Sequence, residues 1–137
     1  MKLGALILSP SHLSQIIAHL EAGKPNEACG LLAGQNGRVT KVYLMANAAG
    51  SPVRYSMEPE ALVRVIEETE ERGWDLAGIF HSHPNGPLAA SATDIAEAYY
   101  PDSAYVICAP DAAGRWQAKA FEIKDGRARE IPLRIEN

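Results

Sequence analysis

The sequence predicts an α/β fold of the α+β kind, in which helices flank a mixed, largely antiparallel β-sheet. Two observations predict it. Three segments carry apolar residues at the spacing of an amphipathic helix, and several shorter apolar runs are bounded by glycine, proline or asparagine, as strands are. Two of these runs are joined by the turn Gly34-Gln35-Asn36-Gly37, which is typical of an antiparallel hairpin.

The first predicted helix begins after Ser9 or Ser11, either of which can cap it, and Gly23 ends it. Its apolar residues fall at positions i, i+3, i+4 and i+7, namely Leu13, Ile16, Ile17 and Leu20. His12 and His19 lie on this helix, and we expect them to be boundary or surface residues rather than ligands.

Pro59 predicts the first turn of a second helix, because proline is tolerated where the backbone N–H has no helical partner, and Gly73 predicts its end. The apolar face of this helix consists of Leu62, Val65, Ile66 and Thr69. A third helix is predicted from Ser91 to Tyr100, where Pro101 breaks it.

Strands are predicted where short apolar runs lie between turn residues. These runs are Leu3–Leu8, Ala28–Ala33, Arg38–Met45, Asp75–Phe80, Ala104–Ala109, Trp116–Ile123 and Arg127–Leu133. The first run is shorter than the core of a signal peptide, and no small-residue cleavage site follows it. A first strand is therefore the better interpretation.

Length and composition indicate one domain that spans residues 1–137. The chain has 13 basic and 17 acidic residues and a formal net charge of -4, which argues against nucleic acid and an anionic membrane as partners. No apolar segment approaches the ~20 residues needed to cross a bilayer. Without an export signal, and with Cys29 and Cys108 far apart, we expect a cytoplasmic protein without a disulfide.

His81 and His83 stand one residue apart at the end of an apolar run. Residues two apart point about 200° away from each other on a helix, but on a strand they share one face with Cα atoms roughly 6.6 Å apart. Both imidazoles can then converge on a metal ion at about 2.0–2.1 Å. Pro84 ends the strand because it has no N–H to donate, so the pair lies beside a loop.

Asp94 is a candidate third ligand in the segment Ser91-Ala92-Thr93-Asp94. A Ser-x-x-Asp pattern before a helix is also a capping box, in which both side chains only satisfy amides at the helix end. The two interpretations are compatible. From the residues alone, a metal site and a chance arrangement of these side chains both remain open. Two histidines and one aspartate would leave the fourth tetrahedral position of zinc open, as in catalytic sites.

These residues resemble the signature of the JAMM (MPN+) metalloproteases, which remove ubiquitin or ubiquitin-like proteins from conjugates. The similarity consists of His81-x-His83-Pro84 followed by Ser91-x-x-Asp94. Upstream, the segment PNEACGLLAG at residues 25–34 is similar to the family's Pro-x-Glu-x-Cys-Gly-Leu-Leu-x-Gly. The resemblance extends over most of the chain and implies an MPN or cytidine-deaminase-like architecture.

The resemblance implies a role for each motif residue. His81, His83 and Asp94 would ligate one zinc ion per chain. Glu27 would act as general base on the metal-activated water and then protonate the leaving amine, while Ser91 would steady the tetrahedral oxyanion. Nothing in the spacing indicates the role of Glu27, which the residues alone would identify as a surface glutamate at the start of a strand.

The resemblance also implies a zinc-dependent peptidase or isopeptidase of the compact prokaryotic type. Its substrate would be a ubiquitin-like or sulfur-carrier protein, cut at a glycine-rich C-terminal tail. The segments after Met45 and after Pro84 are short, so the insertions of family members that recognise polyubiquitin are not expected. Two alternatives remain: a peptidase acting on another peptide, such as a cell-wall stem, and a non-catalytic MPN-type binding scaffold. The oligomeric state is open, with a homodimer as one option.

Other chemistries fit the residues less well. Ser82 should face the opposite side of the strand from the histidines, and the sequence lacks the G-x-S-x-G elbow of a serine hydrolase. A zinc deaminase needs H-x-E followed by P-C-x-x-C, and Cys108 has no cysteine nearby. Cys29 could share a face with Glu27 and bring a thiolate near the metal, but a buried small apolar residue is the favoured interpretation.

Overall fold

The computed structural model describes residues 4–137. Within this range the helices are α1 (Pro10–Gly23), α2 (Pro59–Glu71) and α3 (Ala92–Ala96). The strands are β1 (Leu6–Leu8), β2 (Cys29–Gln35), β3 (Arg38–Met45), β4 (Asp75–Ser82), β5 (Ala104–Pro110), β6 (Trp116–Lys124), β7 (Arg127–Ile131) and β8 (Leu133–Ile135). None of these helices is long and apolar enough to span a membrane. Leu3, where the predicted first strand begins, lies outside the described residues.

The strands form one mixed sheet in the order β7-β6-β5-β4-β2-β3-β1-β8. Antiparallel pairs predominate: β2 pairs with β3 and β4, and β6 pairs with β5 and β7. The parallel pairs are β4 with β5, and β1 with β3 and β8. The predicted fold class, a mixed and largely antiparallel sheet flanked by helices, is therefore confirmed.

The two end strands of the sheet are consecutive in the chain. Only Pro132 separates β7, which pairs with β6, from β8, which pairs with β1. The Pro132 carbonyl oxygen accepts a hydrogen bond from the Leu6 N–H at 2.9 Å. Proline has no N–H to donate, so it suits the point at which the chain leaves one partner strand for another. The sheet curls until its ends meet here, and the predicted strand Arg127–Leu133 is divided at this residue.

Helices α1 and α2 cover opposite faces of the sheet. Ile16 and Leu20 of α1 lie in one core cluster with Leu32 of β2, whereas the neighbouring Leu31 lies with Val65 of α2 in another. Because successive strand residues point to opposite faces, the two clusters lie on the two sides of the sheet. Burying each of these aliphatic side chains contributes about 1.5–3 kcal/mol.

Both long helices begin where the sequence predicts. The hydroxyl oxygen of Ser9 accepts a hydrogen bond from the His12 N–H at 3.1 Å, which caps α1. Pro59 begins α2, and Glu58 caps it by accepting hydrogen bonds from the N–H groups of the first turn. These caps satisfy amides that have no partner inside the helix, which explains the sharp start of each helix.

Helix α3 is shorter than predicted, since it ends at Ala96 rather than at Tyr100. The Tyr100 N–H donates to the Tyr105 hydroxyl oxygen at 3.0 Å instead of to a helical carbonyl group. Pro101 also disfavours a helical conformation at the residue before it. The prediction is wrong about the second half of this helix because a tertiary contact replaces the helical hydrogen bonds.

Candidate functional site

His81 and His83 lie at the C-terminal end of β4, between β2 and β5. The strand extends to Ser82, beyond its predicted end at Phe80, because both neighbouring strands pair with this segment and His81 is in register with Cys29. Both imidazoles are buried, with 1% and 7% exposure. Strand alternation places the histidines on the face covered by α2 and places Phe80 on the other face.

Hydrogen bonding determines which nitrogen of His83 faces the site. Its Nδ1 lies 2.8 Å from the carbonyl oxygen of Pro87, and a carbonyl oxygen only accepts, so Nδ1 carries the hydrogen and donates it. Nε2 can therefore present a lone pair, and it lies 3.1 Å from Nε2 of His81. Donation from the second ring nitrogen to a carbonyl group is the usual arrangement for a metal-binding histidine.

Asp94 contacts both histidines and also caps α3. Its Oδ1 lies 3.1 Å from His81 Nε2, and its Oδ2 lies 3.1 Å from His83 Nε2. Oδ2 also accepts a hydrogen bond from the Ser91 N–H at 2.9 Å, and the Asp94 N–H donates to the Ser91 hydroxyl oxygen at 3.0 Å. The capping box and the contact with the histidines are therefore present together.

The spacing of these donor atoms suits a metal ion. Ligands at about 2.0–2.1 Å in a tetrahedron lie roughly 3.3–3.4 Å from one another. The distances of 3.1 Å among His81 Nε2, His83 Nε2 and the Asp94 carboxylate oxygens are close to this value. Unprotonated imidazole nitrogens and carboxylate oxygens are all acceptors, so they repel one another unless a cation or a shared proton lies between them. The group could therefore hold a metal ion and leave one position open.

Glu27 lies beside this group, although it is far upstream in the sequence. Its carboxylate lies within 4.8 Å of a ring nitrogen of each histidine. The antiparallel register that pairs Cys29 with His81 places Glu27, two residues earlier, opposite His83, two residues later. The side chain is only 5% exposed. The interpretation of Glu27 as a surface glutamate, which the residues alone favoured, is therefore wrong.

The burial of these groups changes their acid–base properties. Burial raises the pKa of Glu27 to about 7, opposed by the charge of His83 and supported by that of Asp94. Burial acts to raise the pKa of Asp94, but hydrogen bonds to both histidines outweigh it and hold that pKa well below its usual range. Burial lowers the pKa of His81, whereas at His83 the hydrogen bonds to Asp94 and Pro87 outweigh burial and raise the pKa. A carboxyl group that titrates near neutral pH is suited to proton transfer.

The raised pKa of Glu27 predicts a pH-dependent stability of the metal-free protein. This group titrates near 4.5 when unfolded and near 7 when folded, so the free energy of unfolding falls as the pH rises through this window. We expect Glu27→Gln to stabilise the protein by roughly 2–3 kcal/mol at pH 8 and by less than about 1 kcal/mol at pH 5. Urea unfolding with a chelator present measures both values.

The matched control for this measurement is Glu67→Gln, which changes an exposed glutamate on α2. Its effect on the free energy of unfolding should be small, because an exposed carboxylate loses little hydration on folding. An effect of Glu27→Gln that is equal at pH 5 and pH 8 would contradict the raised pKa.

Ser82 and Cys29 contribute to the packing around the site. The hydroxyl oxygen of Ser82 is buried and accepts a hydrogen bond from the Ala28 N–H at 2.9 Å, which joins β4 to the start of β2. Cys29 is also buried, and burial raises the pKa of its thiol to about 12. Cys108 is a second free, buried thiol. Cys29 therefore has the environment of a small apolar residue rather than of a thiolate.

Two features next to the site were not predicted. The ring of Tyr55 stacks on that of His81, with 4.5 Å between centroids and 25° between planes. A cavity of about 230 Å³ adjoins Asp94, and its walls include Leu31, Tyr55, Met57, Leu62, Ile79, Tyr100 and Tyr105. Tyr55 lies in the irregular segment between β3 and α2, where no periodicity indicates which side chains turn inward.

The chain belongs to the family described as prokaryotic homologs of the JAB domain, whose model matches residues 9–123. The matched range includes Glu27, both histidines, Ser91 and Asp94. The resemblance to the JAMM/MPN family is therefore confirmed.

Several relatives are named for cleavage reactions. A desampylase from Haloferax volcanii is 34% identical over 141 residues, which cover 96% of each chain. The CysO-cysteine peptidase of Mycobacterium bovis is 30% identical over 95% of this chain and 90% of its own length. A "probable TtuB-protein conjugate cleaving protease" from Thermus thermophilus is 35% identical over 84% of this chain and 74% of its own.

Solved structures agree with the fold. The solution structure of a protein from Desulfitobacterium hafniense matches with a TM-score of 0.85 and 32% identity, covering 96% of this chain and 93% of that protein. The crystal structure of a JAB1/MPN domain protein from Archaeoglobus fulgidus has a TM-score of 0.62 at 16% identity, covering 96% and 97% of the two chains. The second likeness concerns the fold alone.

Proposed function

We propose that this protein is a zinc-dependent peptidase or isopeptidase that hydrolyses an amide bond at the C-terminal tail of a ubiquitin-like or sulfur-carrier protein. One observation carries the proposal. The donor atoms of His81, His83 and Asp94 converge at 3.1 Å, with the buried carboxyl group of Glu27 beside them. The relatives named as a desampylase and as a CysO-cysteine peptidase support this class of reaction.

In this proposal His81, His83 and Asp94 hold the zinc ion, which when bound lowers the pKa of a water molecule and polarises the scissile carbonyl group. Glu27 accepts a proton from the attacking water and returns it to the leaving amine. Burial raises the pKa of Glu27 in the metal-free site to about 7, and the charge of a bound zinc ion would lower it toward the ionised carboxylate that accepts the proton of the water.

Ser91 is proposed to stabilise negative charge on the substrate's carbonyl oxygen. Its hydroxyl oxygen accepts the Asp94 N–H, so its own hydrogen remains available to donate. The residue is exposed, so a substrate can reach it. Removing one donor to an oxyanion typically lowers kcat by a factor of about 10²–10³.

The surroundings of the site support an extended tail as the substrate segment. Glycines at the cleaved bond have no side chain to collide with the walls around the buried histidines. The cavity beside Asp94 can receive an apolar side chain from the same tail. The segments 46–58 and 83–91 that border the site are short, which does not favour recognition of a polyubiquitin linkage. The free, buried thiols Cys29 and Cys108 support a cytoplasmic location.

A panel of fusions tests the proposed function. Each member carries a ubiquitin-like or sulfur-carrier protein followed by a short peptide or a lysine-linked partner, and a cell-wall stem peptide is included for comparison. We expect intact-mass analysis to show cleavage after the C-terminal glycine of at least one carrier, and none after treatment with a chelator. If the zinc-loaded protein cuts nothing, the binding-scaffold hypothesis replaces the enzyme hypothesis. If it cuts only the stem peptide, the proposed substrate class is wrong.

A further inference from the structure

In the described part of the chain, the ring of His81 is not oriented by a hydrogen bond from Nδ1, the nitrogen that does not face Asp94. Its Nδ1 is buried and has no hydrogen-bond partner among residues 4–137. His83 differs, because its Nδ1 donates to the Pro87 carbonyl oxygen. A metal-binding histidine usually donates its second ring N–H to a carboxylate, carbonyl group or water, and this bond fixes the ring. No residue among 4–137 provides this bond at His81, so contacts with the faces of the ring are the protein contacts that can orient it.

Tyr55 provides such a contact. Its ring lies over the His81 ring at 4.5 Å with the planes 25° apart, while the His83 ring meets His81 at 4.9 Å and 71°. Aromatic pairs of this kind are worth about 0.5–1.5 kcal/mol beyond the area that they bury. The His81 ring therefore lies between one stacked and one inclined neighbour, and rotating it would lose the stacking with Tyr55.

Asn47 holds the backbone on both sides of Tyr55. Its side-chain amide donates to the Arg54 carbonyl oxygen at 3.0 Å and accepts from the Ser56 N–H at 3.1 Å. The same amide donates to the Glu27 carbonyl oxygen at 2.9 Å. One side chain thus fixes the Tyr55 segment relative to Glu27, so the stacked ring cannot easily move away from the site.

We propose that Tyr55 is a positioning residue that orients His81 as a metal ligand through ring stacking, an inference that rests on the proposed zinc site. The contact uses the face of the ring, so phenylalanine can replace tyrosine. Without an aromatic ring, the imidazole of His81 turns and its Nε2 lone pair leaves the centre shared with His83 and Asp94.

Zinc affinity and ligand geometry test this inference independently of activity. Dissociation constants of the parent, Tyr55→Phe and Tyr55→Ala are measured by competition with a chromophoric chelator, and visible spectra are recorded with cobalt(II) in place of zinc. We expect Tyr55→Phe to bind zinc within about twofold of the parent and Tyr55→Ala to bind about 10–100-fold more weakly, as is typical when a residue that orients a ligand is lost. Of these two variants, only Tyr55→Ala should change the cobalt spectrum.

Tyr99→Ala is the matched control, because Tyr99 lines the same cavity but is 74% exposed. If the alanine variant of Tyr55 does not fold, Tyr55→Leu replaces it and should bind zinc at least about tenfold more weakly than the parent. Parent-like affinity and an unchanged cobalt spectrum in the non-aromatic variant would overturn the inference, as would Tyr55→Phe binding as weakly as Tyr55→Ala. A parent that binds no zinc would instead overturn the proposed function.

Discussion

Replacing Glu27 by glutamine is expected to lower kcat by about 10²–10⁴ while zinc affinity stays close to that of the parent. Glutamine has nearly the same size as glutamate but cannot accept and return a proton. The donor atoms of His81, His83 and Asp94 meet at 3.1 Å without Glu27, so the metal site should remain intact. The expected loss of kcat is checked by measuring rates on a conjugate that the panel shows to be cleaved. Retention of the metal is checked by measuring the zinc content of the same samples.

The same variant separates two roles for Glu27. Its carboxylate lies within 4.8 Å of ring nitrogens of both histidines and could itself reach a metal ion. Loss of zinc from Glu27→Gln would identify a ligand instead of a base, and full activity would remove Glu27 from the mechanism. Glu67→Gln on α2 is the matched control and should change neither quantity.

Replacing Asp94 by asparagine is expected to weaken zinc binding by more than about 100-fold and to abolish hydrolysis, since losing a ligand should cost more than losing a residue that orients one. The amide oxygen can still accept the Ser91 N–H, so the cap of α3 is retained. The negative charge is lost, and with it the anionic ligand that faces the two histidines at 3.1 Å. Chelator competition measures the affinity, and circular dichroism checks that the fold is unchanged.

Asp102→Asn is the matched control for this change, because Asp102 is exposed in the turn before β5. It should bind zinc as the parent does. If Asp94→Asn also bound zinc with parent affinity, Asp94 would act only as a helix cap, and Glu27, whose carboxylate lies within 4.8 Å of ring nitrogens of both histidines, would become the candidate third ligand.

The histidine pair could be derived from the sequence because its information is local. A spacing of two on a strand puts His81 and His83 on one face, and the structure places both there. The position of Asp94 in the first turn of α3 could also be derived from local sequence, since the Ser-x-x-Asp pattern marks the start of this helix. The location of Glu27 beside the histidines could not be derived from the residues around it in the sequence. It depends on the pairing of β2 with β4, and neither strand indicates its partner.

The remaining differences come from contacts between different elements or irregular segments of the fold. The end of α3 depends on the Tyr105 hydroxyl group, and the division of the last predicted strand at Pro132 depends on which strands lie at the two ends of the sheet. The stacking of Tyr55 depends on an irregular segment that Asn47 holds in place. Each of these features requires knowledge of a tertiary neighbour, which periodicity and turn residues do not contain.

The two end strands of the sheet join at Pro132, and this junction affects how the chain folds during its synthesis. Strand β1 is synthesised well before its partner β8, which follows the other strands described for residues 4–137. Until β8 is available, one side of β1 exposes unpaired backbone groups, which can pair with other chains. Pairing with β8 after Pro132 covers this side of β1. We therefore expect chains that stop before residue 133 to aggregate more than chains that include β8.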